Sequence, residues 1–462
     1  MHPSTFRSSQ SCRMTVGKVW AARAMFSVAA VIAAVLVAVL ANASSAWAQA
    51  APAGGADEGL PQITITDPTR NLLRLAVPNA SGDAGPSTEA ASIARRNLQI
   101  VGLFQMLNPQ SFPPALHAEG KGFSEALWSQ VGAQAVVKLH AMKDPAGSLL
   151  EGYLYQTGRG EKPVMSKSYK GSDLRTLVHA LTNDIIEALT GEPGVFGSRV
   201  VFARPKEELM SVGMDGATPA VHTMMRSDSL LPAISPAGDR IAFTNYIRRN
   251  PDMWIVPAGG GRAKRISDRQ GMNTGASWFP DGMSIAMTMT FEGNAEIYRI
   301  DARTGKIIKR LTNNPAIDSS PSVSPDGSQI AFVSNRQGTP QIFVMSASGG
   351  DARRITFRGN YNQTPRWNPK TKKSLIAFTG RDEQSKFDVF VIDTKDGRME
   401  RMTQNQGSNS DPTWSPDGRL LIYASSRGGL FMLNPQTLGE TQIYRGNAKS
   451  PSWGPPPRSS KR

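Results

Sequence analysis

The first patterned stretch is Gln62-Ile63-Thr64-Ile65-Thr66, where polar and apolar residues alternate with the two-residue period of a half-buried strand. Leu72–Val77 predicts a second strand. Across Thr88–Leu107 the apolar residues Ile93, Leu98, Val101, Phe104 and Leu107 recur at helical spacing, and Phe123–Val131 predicts a shorter helix. Ala135–Ala141, Leu149–Gln156 and Pro163–Tyr169 read as strands, the last two joined across Gly158-Arg159-Gly160. Ser172–Thr190 reads as a helix, with Ser172 as its cap and Gly191 just past its end. Together these make a small α/β domain over residues 62–192, with Glu192-Pro193-Gly194 opening a linker through 198.

From Arg199 the pattern changes to short apolar runs repeated at a fixed interval. Ser324-Pro325-Asp326-Gly327 leads into Gln329–Val333, and Ser415-Pro416-Asp417-Gly418 into Leu420–Ala424. Phe279-Pro280-Asp281-Gly282 and Ser235-Pro236-Ala237-Gly238 open two further blocks, and Asn368-Pro369 opens a fifth with a longer turn. The repeated prolines stand at 236, 280, 325, 369 and 416, which is 44 to 47 residues apart. In S-P-D-G the proline presets φ, Asp suits the third position and Gly supplies positive φ, so each block turns sharply between strands. Further strands follow at Met253–Val256, Glu296–Ile300, Gln341–Met345 and Asp388–Ile392. Each block then ends in Arg, a hydrophobe and a hydroxyl: Arg265-Ile266-Ser267, Arg310-Leu311-Thr312, Arg354-Ile355-Thr356 and Arg401-Met402-Thr403. Four strands per period of this length make a propeller blade. Arg199–Arg204 and Glu208–Gly213 resemble second and third strands with no inner strand before them, while Ser450–Gly454 resembles an inner strand with nothing after it. The C-terminal strand therefore completes the first blade. The expected fold is mainly β: a six-bladed β-propeller over 199–454 preceded by the small α/β domain.

Composition adds an address. Arg7, Arg13, Lys18 and Arg23 precede an apolar run, Ala24–Ala41, and Ala46-Trp47-Ala48 supplies a small-residue cleavage pattern, so residues 1–48 are expected to be a cleaved signal peptide. Residues 49–61, rich in Ala, Gly and Pro, are an expected flexible segment. The single cysteine, Cys12, lies in the leader, so the mature chain has no disulfide and no cysteine metal ligand. An exported protein without disulfides, large enough to be stable unaided, fits the bacterial periplasm. Residues 49–198 hold 12 basic and 14 acidic side chains, whereas 199–462 hold 36 and 23, so the basic excess belongs to the propeller and a short basic tail over 455–462.

The leader, an α/β domain ending in Leu189-Thr190-Gly191, and six blades with the W-S-P-D-G pattern together resemble the periplasmic TolB family of the Tol-Pal system. The resemblance covers nearly the whole mature chain. It implies a non-enzymatic periplasmic adaptor that supports outer-membrane integrity and constriction during cell division. Its propeller would bind the peptidoglycan-associated lipoprotein Pal, and its N-terminal segment would bind TolA. Carried onto this sequence, the TolA segment falls on Gln49–Asp67, most directly on Ile63, Thr64, Ile65, Thr66 and Asp67. The Pal positions fall in the loops leading into inner strands: Met272, Asn273 and Gly275; Asp318, Ser319 and Ser320; Gln363 and Thr364; Ser410 and Asp411.

The residues themselves point the same way. Trp278, Trp367, Trp414 and Trp453 occupy one repeat position, which predicts packing between blades in preference to stacking on nucleic-acid bases. The Arg-hydrophobe-hydroxyl motif recurs once per blade, spreading its charge around the rim instead of lining one groove, so no nucleic-acid partner is expected. Neither a G-x-S-x-G elbow nor an H-E-x-x-H motif is present. His117, His140, His179 and His222 lack ligand spacing, and Asp281, Asp326 and Asp417 are accounted for by their turns, so no metal and no cofactor is expected. The expectation is a monomer, not embedded in the membrane once the leader is removed. A propeller-type hydrolase or peptidase and a glycan-binding propeller are the alternatives.

Overall fold

The computed structural model describes residues 72–145, 147–204, 208–370, 372–381 and 386–455. The predicted leader, the flexible segment, the strand over Gln62–Thr66 and the tail beyond Pro455 lie outside the described residues.

The α/β domain opens with strand β1 (Leu73–Ala76), a short β2 (Ser81–Gly82) and helix α1 (Ala84–Ile100). Strand β3 (Phe104–Met106) follows, then α2 (Pro114–Ala118), α3 (Glu125–Gln130), strands β4 (Ala135–Asp144), β5 (Gly147–Gln156) and β6 (Met165–Gly171), and helix α4 (Leu174–Thr190). The sheet order is β3-β1-β4-β5-β6, with β2 also pairing β4. Contacts of β1 with β3 and β4 are parallel, and those of β4, β5 and β6 antiparallel. The helix predicted over Thr88–Leu107 is corrected: it starts earlier and stops at Ile100, because Gly102 takes φ +59° and turns the chain into β3. Phe104 therefore belongs to a strand. The cap of α4 is Asp173, not Ser172; its carboxylate accepts the amides of Arg175 and Thr176, and Gly191 ends the helix at φ +76°.

Helices α1 and α4 cover one face of the sheet. Ala90, Ala94, Leu98, Val178, Leu181 and Ile185 bury against Leu150 and Leu154. Gly152 admits this approach, since a Cβ there would lie 2.2 Å from Leu181 Cδ1. On the other face Phe112, Leu116, Phe123, Trp128 and Tyr155 form a second core. Within it the Glu119 carboxylate accepts both the Trp128 indole N–H and the buried Lys138 ammonium, so the charge is paired where it is desolvated.

Residues 199–454 form six four-stranded sheets, each antiparallel in chain order. Blades 1 to 5 begin with the inner strands Ser229–Ile234, Asn273–Trp278, Asp318–Val323, Tyr361–Trp367 and Asn409–Trp414. Blade 6 is composite: the last strand, Lys449–Gly454, pairs antiparallel with Arg199–Ala203. The first and last strands of the repeat segment thus close the wheel as expected. No helix among the described residues is long and apolar enough to cross a membrane.

The outer motif proves to be a clasp, complete in blades 2 and 4. In blade 4 the buried Asp388 carboxylate, at the start of the third strand, accepts from Arg401 Nη2 at 2.5 Å and Thr403 Oγ1 at 2.7 Å. The Thr403 hydroxyl in turn accepts the Val389 amide at 3.0 Å. Glu296 with Arg310 and Thr312 repeats the arrangement in blade 2. In blade 3 neutral Gln341 replaces the acid; it takes Thr356, while Arg354 turns to Gln337 and its own Thr356 carbonyl. The rim arginines in blades 1, 2 and 4 are therefore neutralised in place.

The tryptophan position seals blade against blade. Trp278 donates its indole N–H to Ala233 O at 2.9 Å in blade 1, and Trp414 to Arg366 O at 3.1 Å in blade 4. Trp453 reaches Ser198 Oγ at 2.8 Å.

Candidate partner-binding face

The inner strands run from a front face, reached by the loops that precede them, to a back face carrying the S-P-D-G turns. The α/β domain docks on the back. Its Glu192 pairs with Lys370 at 3.1 Å and its Pro193 carbonyl with Arg419 at 2.7 Å, both in turns following inner strands. Gly102 O accepts Asn434 Nδ2 at 2.9 Å. Asp215, in a back-face turn of blade 6, accepts Arg175 at 2.6 Å and His179 at 3.2 Å from α4. Burial alone would raise the Asp215 pKa, but the bonds from His179, the Ala217 amide and Arg175 hold this carboxyl well below the usual carboxylate range. Val195 and Phe196 of the predicted linker are buried in a core that runs from α4 into blades 5 and 6, so this segment is packed.

The front face is left open by the described residues. Around it the inner strands share a strained feature. Leu231, Gly275, Ser320, Thr364, Asp411 and Ser450, one per blade, take φ between +49° and +68° at a break in strand register. Left-handed backbone costs a non-glycine residue about 1–2 kcal/mol, and at three of the five non-glycine bulges a group from the neighbouring blade accepts the bulge amide. The Thr379 hydroxyl of blade 4 accepts the Asp411 amide at 2.9 Å, and Thr288 of blade 2 accepts Ser320 at 3.3 Å. Asp411 then accepts the Ser450 amide at 3.2 Å. The ring is a rigid, blade-to-blade collar at the mouth of the channel, the kind of site where backbone strain accompanies function.

Four of the ten propeller residues picked from sequence, Gly275, Ser320, Thr364 and Asp411, are these bulge residues. Met272, Ser319, Gln363 and Ser410 flank them and are likewise half-buried. Asn273 and Asp318 differ: both are 0% exposed. Asn273 accepts Ser267 Oγ at 2.6 Å and donates to the Arg269 carbonyl at 2.6 Å. Asp318 pairs with Arg336 at 2.8 Å, and its pKa is raised, chiefly by burial, despite that partner. Their side chains are buried supports behind the collar. Ile63, Thr64, Ile65, Thr66 and Asp67 lie outside the described residues.

The structure adds surface residues that no periodicity could mark. Phe357, 70% exposed, stands in the loop before the inner strand of blade 4, and Met224, 88% exposed, in the loop before that of blade 1. Ile317 and Ile247 project from neighbouring front-face loops. Large apolar side chains in several loops beside a polar collar suit a protein-docking surface. Between blades 5 and 6 the same face opens into a cleft of about 410 Å³, lined by Ser408, Ser410, Ser425, Ser426 and Lys449 among others. Among the described residues no group of three or more His, Cys, Asp or Glu side chains is placed to hold a metal.

Comparison with known proteins agrees with this architecture. The TolB beta propeller domain matches residues 186–456 and the TolB amino-terminal domain residues 61–162. The Tol-Pal system protein TolB of Anaeromyxobacter dehalogenans (strain 2CP-C) is 39% identical over 255 residues, covering 53% of this chain and 58% of that protein. A protein TolB homolog of Chlorobium luteolum is 33% identical over 242 residues, covering 50% and 54%. The chain thus spans between half and three fifths of the length of these curated relatives. The crystal structure of TolB from Acinetobacter baumannii superposes with a TM-score of 0.74 at 24% identity, covering 85% of this chain and 98% of that one, which shows a shared fold. With its propeller domain matched across more than half its length, the chain belongs to the TolB family.

Proposed function

We propose that this protein is a non-enzymatic periplasmic adaptor of the Tol-Pal system. Its propeller front face binds the lipoprotein Pal, its N-terminal segment around Ile63–Asp67 binds TolA, and it supports outer-membrane integrity and constriction at division. The observation that carries the reading is the division of the two faces: the α/β domain occupies the back, while the front offers a rigid collar ringed by Met224, Ile247, Ile317 and Phe357. Loops on a rigid scaffold bind without reorganising, which keeps the entropic cost of docking small.

The test is calorimetric titration with a soluble Pal lacking its lipid anchor. Phe357→Asp places a charge at the centre of an apolar contact and is expected to weaken binding at least about tenfold, as for a hot-spot aromatic. Ile308→Asp, on an outer strand of blade 2, is the control and leaves affinity unchanged. Equal affinity of Phe357→Asp and wild type would remove the front face from the account. For TolA, Ile63→Asp with Ile65→Asp is expected to abolish capture while leaving Pal binding intact.

A further inference from the structure

We propose that the back end of the central channel is a binding site for a small oxyanion, a carboxylate or phosphate group, held by Arg366 and a ring of hydroxyls. One residue per blade occupies the position that opens each inner strand's last turn: Ala233, Ser277, Ser322, Arg366, Thr413 and Ser452. Five are small and uncharged. The arginine breaks the pattern, and it does so inside a cavity of about 380 Å³ whose wall includes Ser277, Thr413 and Ser452.

The hydrogen bonding of this ring leaves donors over. Ser277 accepts the Val323 amide at 3.0 Å, Ser452 the Ile234 amide at 3.0 Å and Thr413 the Trp453 amide at 3.4 Å. Each hydroxyl therefore has an occupied lone pair, and its own hydrogen finds no acceptor among the described residues. Trp367, also in the wall, keeps a buried indole N–H without a partner. The Arg366 carbonyl is taken by Trp414 Nε1 at 3.1 Å, and its guanidinium makes one bond, to Pro365 O at 3.1 Å. Among the described residues no carboxylate lies within ion-pair distance of it. Asp411 acts on it from farther away, with its Oδ2 held by the Ser450 amide and hydroxyl at 3.2 Å each.

A half-buried guanidinium without a counter-ion is costly, and its burial pushes this arginine's pKa down. A cation and hydroxyl donors line one space, and the nearest carboxylate oxygen shown, Asp411 Oδ2, is already engaged by Ser450. That is the complement of an oxyanion, whose oxygens accept and never donate. Indole and proline walls lower the local dielectric, and the propeller's basic excess raises the concentration of anions at the mouth.

The experiment titrates residues 49–462 with inorganic phosphate by calorimetry, with acetate as competitor and sodium chloride of equal ionic strength as the blank. Saturable 1:1 binding is expected, weakened about tenfold or more in Arg366→Ser, which loses a charged hydrogen-bond donor. Serine is already used at this position by three other blades, so the variant is compatible with the fold; Arg366→Gln gives a second reading at closer volume. Lys309→Ala, on an outer strand, binds as wild type. Competition by acetate assigns the site to carboxylates as well, and its failure confines it to phosphate. Absence of saturable binding, or equal affinity in both Arg366 variants, would overturn the proposal.

Discussion

Asp388→Ala tests whether the rim clasp holds each blade together. The wild-type carboxylate is buried and engages Arg401 at 2.5 Å and Thr403 at 2.7 Å, with the Asn409 amide of the next blade at 3.5 Å. Truncation removes the carboxylate that the 12%-exposed Arg401 guanidinium donates to, leaving it the Thr403 carbonyl at 3.1 Å, and takes the acceptor from the Thr403 hydroxyl and the Asn409 amide. Removing one partner of a buried ion pair costs about 3–5 kcal/mol. Asp388→Asn keeps an acceptor for Thr403 and removes only the charge, which is worth about 1.5–3 kcal/mol for a hydrogen bond to an ionised group. Blade 3 already runs on the neutral version, with Gln341 at this place, so the milder variant folds. Urea unfolding followed by tryptophan fluorescence reads the difference as a shift in midpoint at unchanged slope. Asp388→Ala is expected to lose at least about 1 kcal/mol more than Asp388→Asn. Equal losses, or a loss under about 1 kcal/mol for Asp388→Ala, would mean that the clasp is decoration and that the recurring Arg-hydrophobe-hydroxyl motif has another cause.

Three further outcomes follow from other parts of the molecule. The Asp215 pKa is depressed on folding from its ordinary 3.8, so its contribution is complete above that value and drains away as pH falls toward the folded pKa. The stability gap between wild type and Asp215→Asn should therefore stand in full at pH 5 and narrow by about pH 3, and a gap unchanged or wider at the lower pH would contradict the ion cluster. Gly275→Ser is expected to cost only about 1–2 kcal/mol, because serine and threonine already adopt this bulge in other blades and the nearest atoms to a new Cβ are 3.8 Å away. Gly305→Ala is expected to prevent accumulation of soluble protein, since its Cβ would fall 1.5 Å from the Ile266 carbonyl oxygen; normal yield and melting would refute the close approach.

The wheel was readable because its punctuation is chemical. Proline and glycine in S-P-D-G have few other uses at a spacing of 44 to 47 residues, and the unpaired strands at either end of the repeat left one way to close the ring. What periodicity missed is equally physical. The collar has no glycine signature because Leu231, Ser320, Thr364, Asp411 and Ser450 adopt a glycine-like backbone without being glycine; hydroxyls of the preceding blade hold Ser320 and Asp411, and the Asp411 carboxylate holds Ser450. The clasp was half seen: the arginine and hydroxyl stood out as a motif, but their acid lies 13 to 15 residues upstream, a separation that only antiparallel pairing makes meaningful. Helix α1 was overrun because Phe104 keeps helical spacing after Gly102 has ended the helix. The strand predicted over Leu72–Val77 is Leu73–Ala76, in which Leu75 and Ala76 are buried while Arg74 is exposed. Exposure of Phe357 and Met224 has no signature in a sequence, since apolar residues in loops are as often buried as presented.

Hydrogen–deuterium exchange of the protein with and without soluble Pal tests the front-face assignment most directly. The loops before the inner strands, above all residues 313–317 and 357–360, are expected to exchange more slowly in the complex, with the back-face turns at 280–282, 325–327 and 416–418 unchanged. Protection at those back-face turns, with the front loops exchanging as in the free protein, would contradict it.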